Sequence, residues 1–259
     1  RDYTGKHYQT VTDLLGGQYF FDNSDVNNPN AALQVGDKRS YNNDGNVGWL
    51  GAFSQIEYDV NEDFNTFISL AVSNTSYQRV DYFKFLDSDP LQTTDTYNFL
   101  GYSVKGGANY RIGQNHNVFA NVGYFEKAPE FGAVFLNNGN QNLNKDAENQ
   151  KITSFELGYG FRSAKLSANV NLYSTAWKDR TETQSFRQPD DTIAFANILG
   201  VNAIHNGIEL DFVYRATEKL RITGMASFGD WRWDSNVADV DIIDEDQNVV
   251  DTVNLFIKD

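Results

Sequence analysis

The chain has 259 residues with 35 acidic and 21 basic side chains, a formal net charge of -14, no Cys and one Met. That length suits one large β domain or two small ones, the missing Cys excludes disulfides and thiol chemistry, and the acidity argues against a nucleic-acid partner. No apolar run approaches the roughly 20 residues a membrane helix needs, and a mean hydropathy of -0.53 excludes a helical membrane protein but not a transmembrane barrel, whose apolar residues hide in alternation. Nothing resembles a signal peptide. The ends, RDYTGKHYQTV and NLFIKD, read as cuts within a longer polypeptide.

Residues 1–45 are rich in Asn, Asp, Gly and Tyr and lack sustained alternation. They read as a long outer loop region, which at this length is usually functional. Strands begin near Val47, with Leu50, Ala52, Ile56 and Tyr58 on one face, although Trp49 and Phe53 blur the other. After a turn at Asn61-Glu62-Asp63, the residues Thr66, Ile68, Leu70 and Val72 oppose Asn65, Phe67, Ser69 and Ala71, and the limb runs on toward Tyr82. A polar connection leads to Leu100, Tyr102, Val104, Ala108 and Tyr110, then a turn at Gly113–His116, then Val118, Ala120, Val122 and Tyr124.

An irregular loop follows, and after it the clearest hairpin, Lys151 to Arg180. Its first limb sets Phe155, Leu157, Tyr159 and Phe161 against Ser154, Glu156, Gly158 and Gly160; its second sets Leu166, Ala168, Val170 and Leu172 against Lys165, Ser167, Asn169, Asn171 and Tyr173. Period two of this sharpness means one dry face and one wet face. A loop, TETQSFRQPDD, is predicted next. Beyond it come Ile208, Leu210, Phe212 and Tyr214, a turn over Ala216–Lys219, and Leu220, Ile222, Gly224, Ala226 and Phe228. The organisation is thus a loop region to 45, four strand hairpins over 46–234, and an acidic loop with the start of a further strand over 235–259.

The tight turns recur about every fifty residues, near 62, 114, 164 and 217, while the connections at the other ends are long. A soluble sandwich has strands of roughly 5–6 residues and turn signals every 8–12 or so. These limbs are longer, and the pattern of short turns, long loops and steady alternation predicts an all-β fold, an antiparallel up-and-down transmembrane β-barrel. Tyr58, Tyr110, Tyr159 and Tyr214 each precede a tight turn on the apolar face, as an interfacial girdle does. Lys105, Asn109, Asn121, Glu156, Asn169, Asn171, Glu209, Asp211 and Arg221 take the lumen side. Trp231 and Trp233 share one face and read as an outer girdle, with a place at the mouth as the alternative. Eight strands leave an interior just filled by side chains, so a wider barrel is expected.

Several motifs now carry a resemblance. Phe125-Glu126-Lys127-Ala128-Pro129-Glu130-Phe131 resembles the aromatic-x-basic-Ala-Pro-x-aromatic signature of TonB-dependent outer-membrane receptors. Asn142-Leu143, Glu148 and Phe155-Glu156-Leu157-Gly158-Tyr159 are similar to the run that follows it in that family. Asn171 through Trp177-Lys178-Asp179-Arg180, and His205-Asn206-Gly207-Ile208-Glu209-Leu210, resemble the next strands in order. The opening TVTDLLGGQYFFDNSDVNNPN resembles an outer loop of Bacteroidetes-type members. Lys127 stands where Arg is commoner.

The resemblance implies a barrel of about 22 strands, of which this chain is the C-terminal part. It also implies a plug and a TonB box, both absent from this chain, as is the closing C-terminal strand. Implied further are energised uptake of a ferric siderophore, corrinoid or glycan, a bacterial outer-membrane location, and contact with lipid. TonB would act through the N-terminal region of the parent protein. A soluble β-sandwich binding or adhesion module and a passive porin-like barrel are the alternatives.

No catalytic constellation and no cofactor motif is present. His7, His116 and His205 fall in a loop, a turn and a strand without metal-ligand spacing. By position, the loop aromatics Tyr19, Phe20, Phe21, Tyr82, Phe83, Phe131, Phe135 and Phe186 are candidates to stack on sugar or aromatic rings. Lys127 and Arg187 are the cationic candidates for an anionic ligand. Asp239, Asp241, Asp244, Glu245 and Asp246 supply oxygens of the kind Ca²⁺ takes, but without an EF-hand pattern they read as an exposed charge run.

Overall fold

A computed structural model describes residues 1–141, 143–188, 191–244 and 248–258, with Asn137 by its backbone alone. The strands are β1 (Asp2–Thr10), β2 (Phe20–Asp22), β3 (Ala31–Leu33), β4 (Lys38–Asp59), β5 (Phe64–Asp81), β6 (Tyr97–Ile112), β7 (His116–Lys127), β8 (Gln150–Arg162), β9 (Leu166–Arg187), β10 (Ile193–Arg215), β11 (Arg221–Trp233), β12 (Val237–Ile243) and β13 (Val249–Leu255). The main sheet has the order β1-β4-β5-β6-β7-β8-β9-β10-β12-β13 with β11 also on β10, and β2 pairs β3 separately. The long strands contribute to two compact units. One comprises residues 1–50, 74–100 and 130–147; the other comprises 51–73, 101–129 and 148–259.

The second unit holds all four tight turns and the amphipathic walls between them. Antiparallel pairing aligns like with like across neighbouring strands. Ile208 lies opposite Leu172, Leu172 opposite Leu157, Leu157 opposite Ala120, and Ala120 opposite Ala108. Leu210, Val170, Tyr159, Val118 and Tyr110 form the adjoining row. Ile208, Leu172 and Leu157 remain 40%, 47% and 39% exposed. A continuous apolar band left open is far larger than a water-soluble surface tolerates, and it is what acyl chains cover. The sandwich alternative required these rows to be buried, and they are not.

The opposite face is hydrogen-bonded and polar. Asn121 donates to Glu156 at 2.9 Å, Asn117 to Asn109 at 3.1 Å, and Asn169 to both oxygens of Asp211 at 3.0 and 3.2 Å. Gly158 sits on this face because the Phe119 ring packs directly over its Cα, leaving no room for a Cβ. Gly113, at φ +64°, is required by its turn. Trp231 lies opposite His205 and donates to the Tyr173 hydroxyl at 2.9 Å. Unbroken alternation along β11 therefore puts it, with Trp233, on the polar face, which corrects the outer-girdle reading.

Other differences concern strands that alternation signals weakly. β9 continues through Arg187, so most of the predicted TETQSFRQPDD loop is strand. Thr183, Gln184 and Phe186 pair with Asn197, Ala196 and Ala194, and the ready-made partner supplies order that alternation does not signal. Pro189 and Asp190 lie outside the described residues. The acidic tail carries β12 and β13, whose Val240 and Ile242 bury against Ala194 and Ala196. In the first unit, β1 pairs with β4 from Asp2↔Gly48 to Thr10↔Lys38. The segment read as loop thus contains β1, β2, β3 and the start of β4, and His7 is in β1. Tertiary pairing overrides the weak strand propensity of Asn, Asp and Gly there.

Candidate functional site

The first unit is organised by β5. Its alternate positions Tyr77, Arg79 and Asp81 point to one face and are 8%, 2% and 2% exposed. Arg79 Nη1 meets Asp81 Oδ2 at 3.1 Å and donates to Asn140 Oδ1 at 2.6 Å. Asn140 in turn donates to the carbonyls of Leu91 and Gln92 at 2.8 and 2.7 Å. The other Asp81 oxygen accepts the N–H groups of Phe83 and Lys84 at 3.2 and 3.1 Å. Thr94 Oγ1 accepts the Arg79 N–H at 2.9 Å. A desolvated charge pair persists only when its remaining hydrogen-bonding capacity is filled, and here the same bonds tie the end of β5 to two loops.

Beside this network an aromatic cluster fixes the loop after Pro129. Phe131 makes an edge contact with Tyr77 at 5.4 Å and packs on Phe135 at 4.6 Å; Tyr97 meets Phe135 at 5.9 Å. The Phe131 ring covers Gly45, where an added Cβ would sit 3.1 Å from it. Together these elements enclose a cavity of about 680 Å³ lined by Tyr3, Gly5, His7, Tyr41, Asn43, Gly45, Val47, Arg79, Asp81, Lys84, Phe131 and Asn138. The phenol groups of Tyr3 and Tyr41, the His7 ring, the Asn43 and Asn138 amides and the Lys84 ammonium have no hydrogen-bond partner among the described residues. Aromatic faces beside unspent donors and acceptors form a surface suited to a ring-bearing, oxygen-rich ligand.

Of the sequence candidates, Phe131 lines this cavity. Phe135 is 0% and Phe83 8% exposed, so both support walls and neither offers a face for stacking. Tyr82 donates to Asp44 at 3.1 Å; burial and that carboxylate push its phenol above the usual range. Phe20 and Phe21 sit in the β2–β3 hairpin, with Tyr19 edge-on to Phe21 at 4.9 Å and the Arg39 guanidinium 5.0 Å over Phe20. Lys127 lies 5.9 Å over the Trp177 ring.

In the second unit, Phe186 borders a separate apolar groove of about 610 Å³ with Ile198, Val240 and Val253, and Arg187 pairs with Asp191 at 3.3 Å. Asp241 accepts from Thr252 at 2.8 Å, Asp244 accepts from the Asn248 N–H at 2.8 Å, and the Asp239 N–H donates to Asn254. Glu245, Asp246 and the motif residue Asn142 lie outside the described residues. Among the described residues no three His, Asp or Glu gather as metal ligands.

Sequence reasoning missed Arg79, Asp81, Asn140, Tyr3, His7, Tyr41 and Lys84. The one available signal was the polar Arg79 and Asp81 continuing the alternation of β5.

In the second unit, an open apolar band backed by a hydrogen-bonded polar face defines a membrane-embedded β wall. The chain belongs to the TonB-dependent receptor β-barrel family: the description "TonB dependent receptor-like, beta-barrel" matches residues 1–255, a family of bacterial outer-membrane proteins. Among solved structures, the copper transporter OprC shares 19% identity and a TM-score of 0.56 over 78% of this chain and 31% of its own. The ferric-catecholate import receptor Fiu of E. coli K12 shares 16% identity and a TM-score of 0.59 over 90% of this chain and 34% of its own. The chain thus spans about a third of each solved structure, and at these identities the likeness speaks to the fold. A search of curated proteins returns no significant match.

Proposed function

We propose that this chain forms wall and mouth of a receptor that takes up a scarce nutrient across the outer membrane, with energy delivered by TonB through the receptor's N-terminal region. The observation that carries the reading is the cavity of the first unit, whose unspent polar groups stand beside aromatic rings within a transporter family. In this reading residues 1–45 belong to the outer mouth, and the four hairpins of 46–234 are wall strands of a barrel of about 22. Tyr3, Tyr41 and Phe131 stack on the ligand's rings while His7, Asn43, Lys84 and Asn138 hydrogen-bond its oxygens. Tyr19, Phe20 and Phe21 at the β2–β3 hairpin, and Phe186 and Arg187 at the end of β9, offer further contacts.

The ligand is a siderophore chelate, a corrinoid or a glycan. Lys84 favours an anionic group, since the cavity's carboxylate, Asp81, is committed to Arg79. With no Cys and one Met, the chain offers few of the soft donors a bare copper(I) ion prefers, which supports a chelate over a free metal.

The test is binding and cellular uptake by the full-length receptor across a panel of these ligands. Phe131→Ala with Lys84→Gln is expected to weaken the ligand that binds by roughly tenfold or more. Unchanged affinity in that variant would remove the cavity from the account. Uptake that persists after the proton-motive force is dissipated would favour the passive-porin alternative.

A further inference from the structure

On the polar face of the second unit, β9, β10 and β11 set successive rows of side chains side by side. Pairing places Asn171, Glu209 and Ser227 in one row and Tyr173, Gly207 and Gly229 in the next. Thr175, His205 and Trp231 follow, then Trp177, Ala203 and Trp233. The Tyr173 ring packs over Gly207 and the Trp231 indole over Gly229, in the space an added Cβ needs. The Trp231 N–H donates to the Tyr173 hydroxyl at 2.9 Å, which joins the two rings at their edges. Trp231 remains 64% exposed, apolar area left unused on a face otherwise built of amides and carboxylates.

Polar groups surround the pair. Glu156 lies opposite Tyr173 on β8 and accepts from Asn121 through Oε2 at 2.9 Å. Among the described residues, Glu209, the Ser227 hydroxyl and the His205 ring nitrogens have no hydrogen-bond partner. Four residues farther along each strand, about 13 Å on, Trp177 and Trp233 flank Ala203. The Arg180 guanidinium lies 4.8 Å over the first of these rings and 5.2 Å over the second. The apolar row of these strands stops at Leu172, Ile208 and Phe228, and the next row is Ser174, Asn206 and Asp230. The rings therefore stand at the end of the wall away from the tight turns.

We propose that these two aromatic pairs form a binding strip for an oligosaccharide. The C–H face of a pyranose carries slight positive charge and stacks on the negative π face of an indole or phenol. Sugar hydroxyls donate to Glu156 and Glu209 and pair with His205 and Ser227. Two aromatic steps separated by about 13 Å suit a repeating chain of rings, whereas a chelate or a corrinoid offers one compact unit. Glu156, Glu209 and Asp211 on the same face oppose an anionic chelate. The inference rests on the uptake reading, in which this end is the outer mouth, and names glycan as the cargo class. In the first unit's cavity the same class places oxygens on the amides and an acidic substituent on Lys84.

The test is an array of neutral and acidic oligosaccharides probed with the full-length receptor in detergent, followed by calorimetric titration of the strongest hexasaccharide and its disaccharide. Array binding is expected, with the hexasaccharide tighter than the disaccharide by roughly tenfold or more. W231A should weaken the hexasaccharide by a similar factor, and W231F should keep most of the affinity. E209Q, at an exposed position, should cost about three- to tenfold and decides the matter if W231A fails to assemble. Absence of any bound glycan, undiminished affinity in both W231A and E209Q, or equal affinity for the two chain lengths overturns the proposal. So does binding of a ferric catecholate chelate or cyanocobalamin, in place of a glycan, that W231A abolishes, which would reassign the rings to that cargo. Saccharide binding without energised uptake would sink the uptake reading and leave the strip; energised uptake of a chelate with no saccharide bound would do the reverse.

Discussion

Replacing Arg79 by Met tests whether the buried network holds the cavity together. The substitution keeps the volume but strands the Asp81 carboxylate, whose side chain is 3% exposed, and leaves Asn140 Oδ1 without its 2.6 Å donor. Removing one partner of a buried pair costs about 3–5 kcal/mol. Asp81 retains two backbone N–H donors, which places the loss near about 3 kcal/mol. The Asn140 loss belongs to the same network and does not add in full.

Membrane receptors seldom unfold reversibly, so the readout is amide hydrogen exchange. A loss of about 3 kcal/mol in local opening free energy lowers protection roughly a hundredfold. The fall should be confined to residues 82–95 and 131–144, which Asp81 and Asn140 hold. Arg79→Met with Asp81→Asn, which removes both charges, should recover a large part of it. Unchanged protection in those loops, or an equal fall in β8–β11, would refute the assignment of Arg79 as their anchor.

Three further outcomes are expected. Leu157→Lys, in the middle of an open apolar row, should cost about 2–4 kcal/mol if lipid covers it, seen as poor assembly in heat-modifiability gels, whereas Asn121→Lys on the polar face should assemble normally. Gly158→Val should destabilise by roughly 1–3 kcal/mol because the Phe119 ring occupies the space a side chain needs, read as a lower thermal transition, with Phe119→Ala restoring it. Burial works against ionisation of Asp22, but hydrogen bonds from the Ser24 hydroxyl and the Ser40 and Ser24 N–H groups, with Arg39 nearby, outweigh it and hold the carboxyl below its ordinary 3.8. Its contribution to the β2–β3 hairpin is therefore full above pH 3.8 and lost as pH falls through the lower folded value. Proteolysis of residues 20–40 should accelerate only in that acid range, and Asp22→Asn should remove the dependence.

What the sequence determined by itself is local. Alternation of period two needs no partner to be legible, so Leu157, Leu172 and Ile208 declared an apolar face and Glu156, Asn169 and Asp211 a wet one. The turns at 62, 114, 164 and 217 were legible because turn chemistry resides in three or four adjacent residues. Tertiary structure decided the rest. Asn140 reaches Arg79 across 61 residues, and β1 finds β4 across some forty, contacts that no local pattern encodes. Polar strands such as residues 181–187 and 38–46 gain order from pairing alone, and their composition mimics loop. Phe131 and Phe135 looked alike in sequence, yet packing buries one and leaves the other to line a cavity, because which ring meets solvent depends on what folds against it.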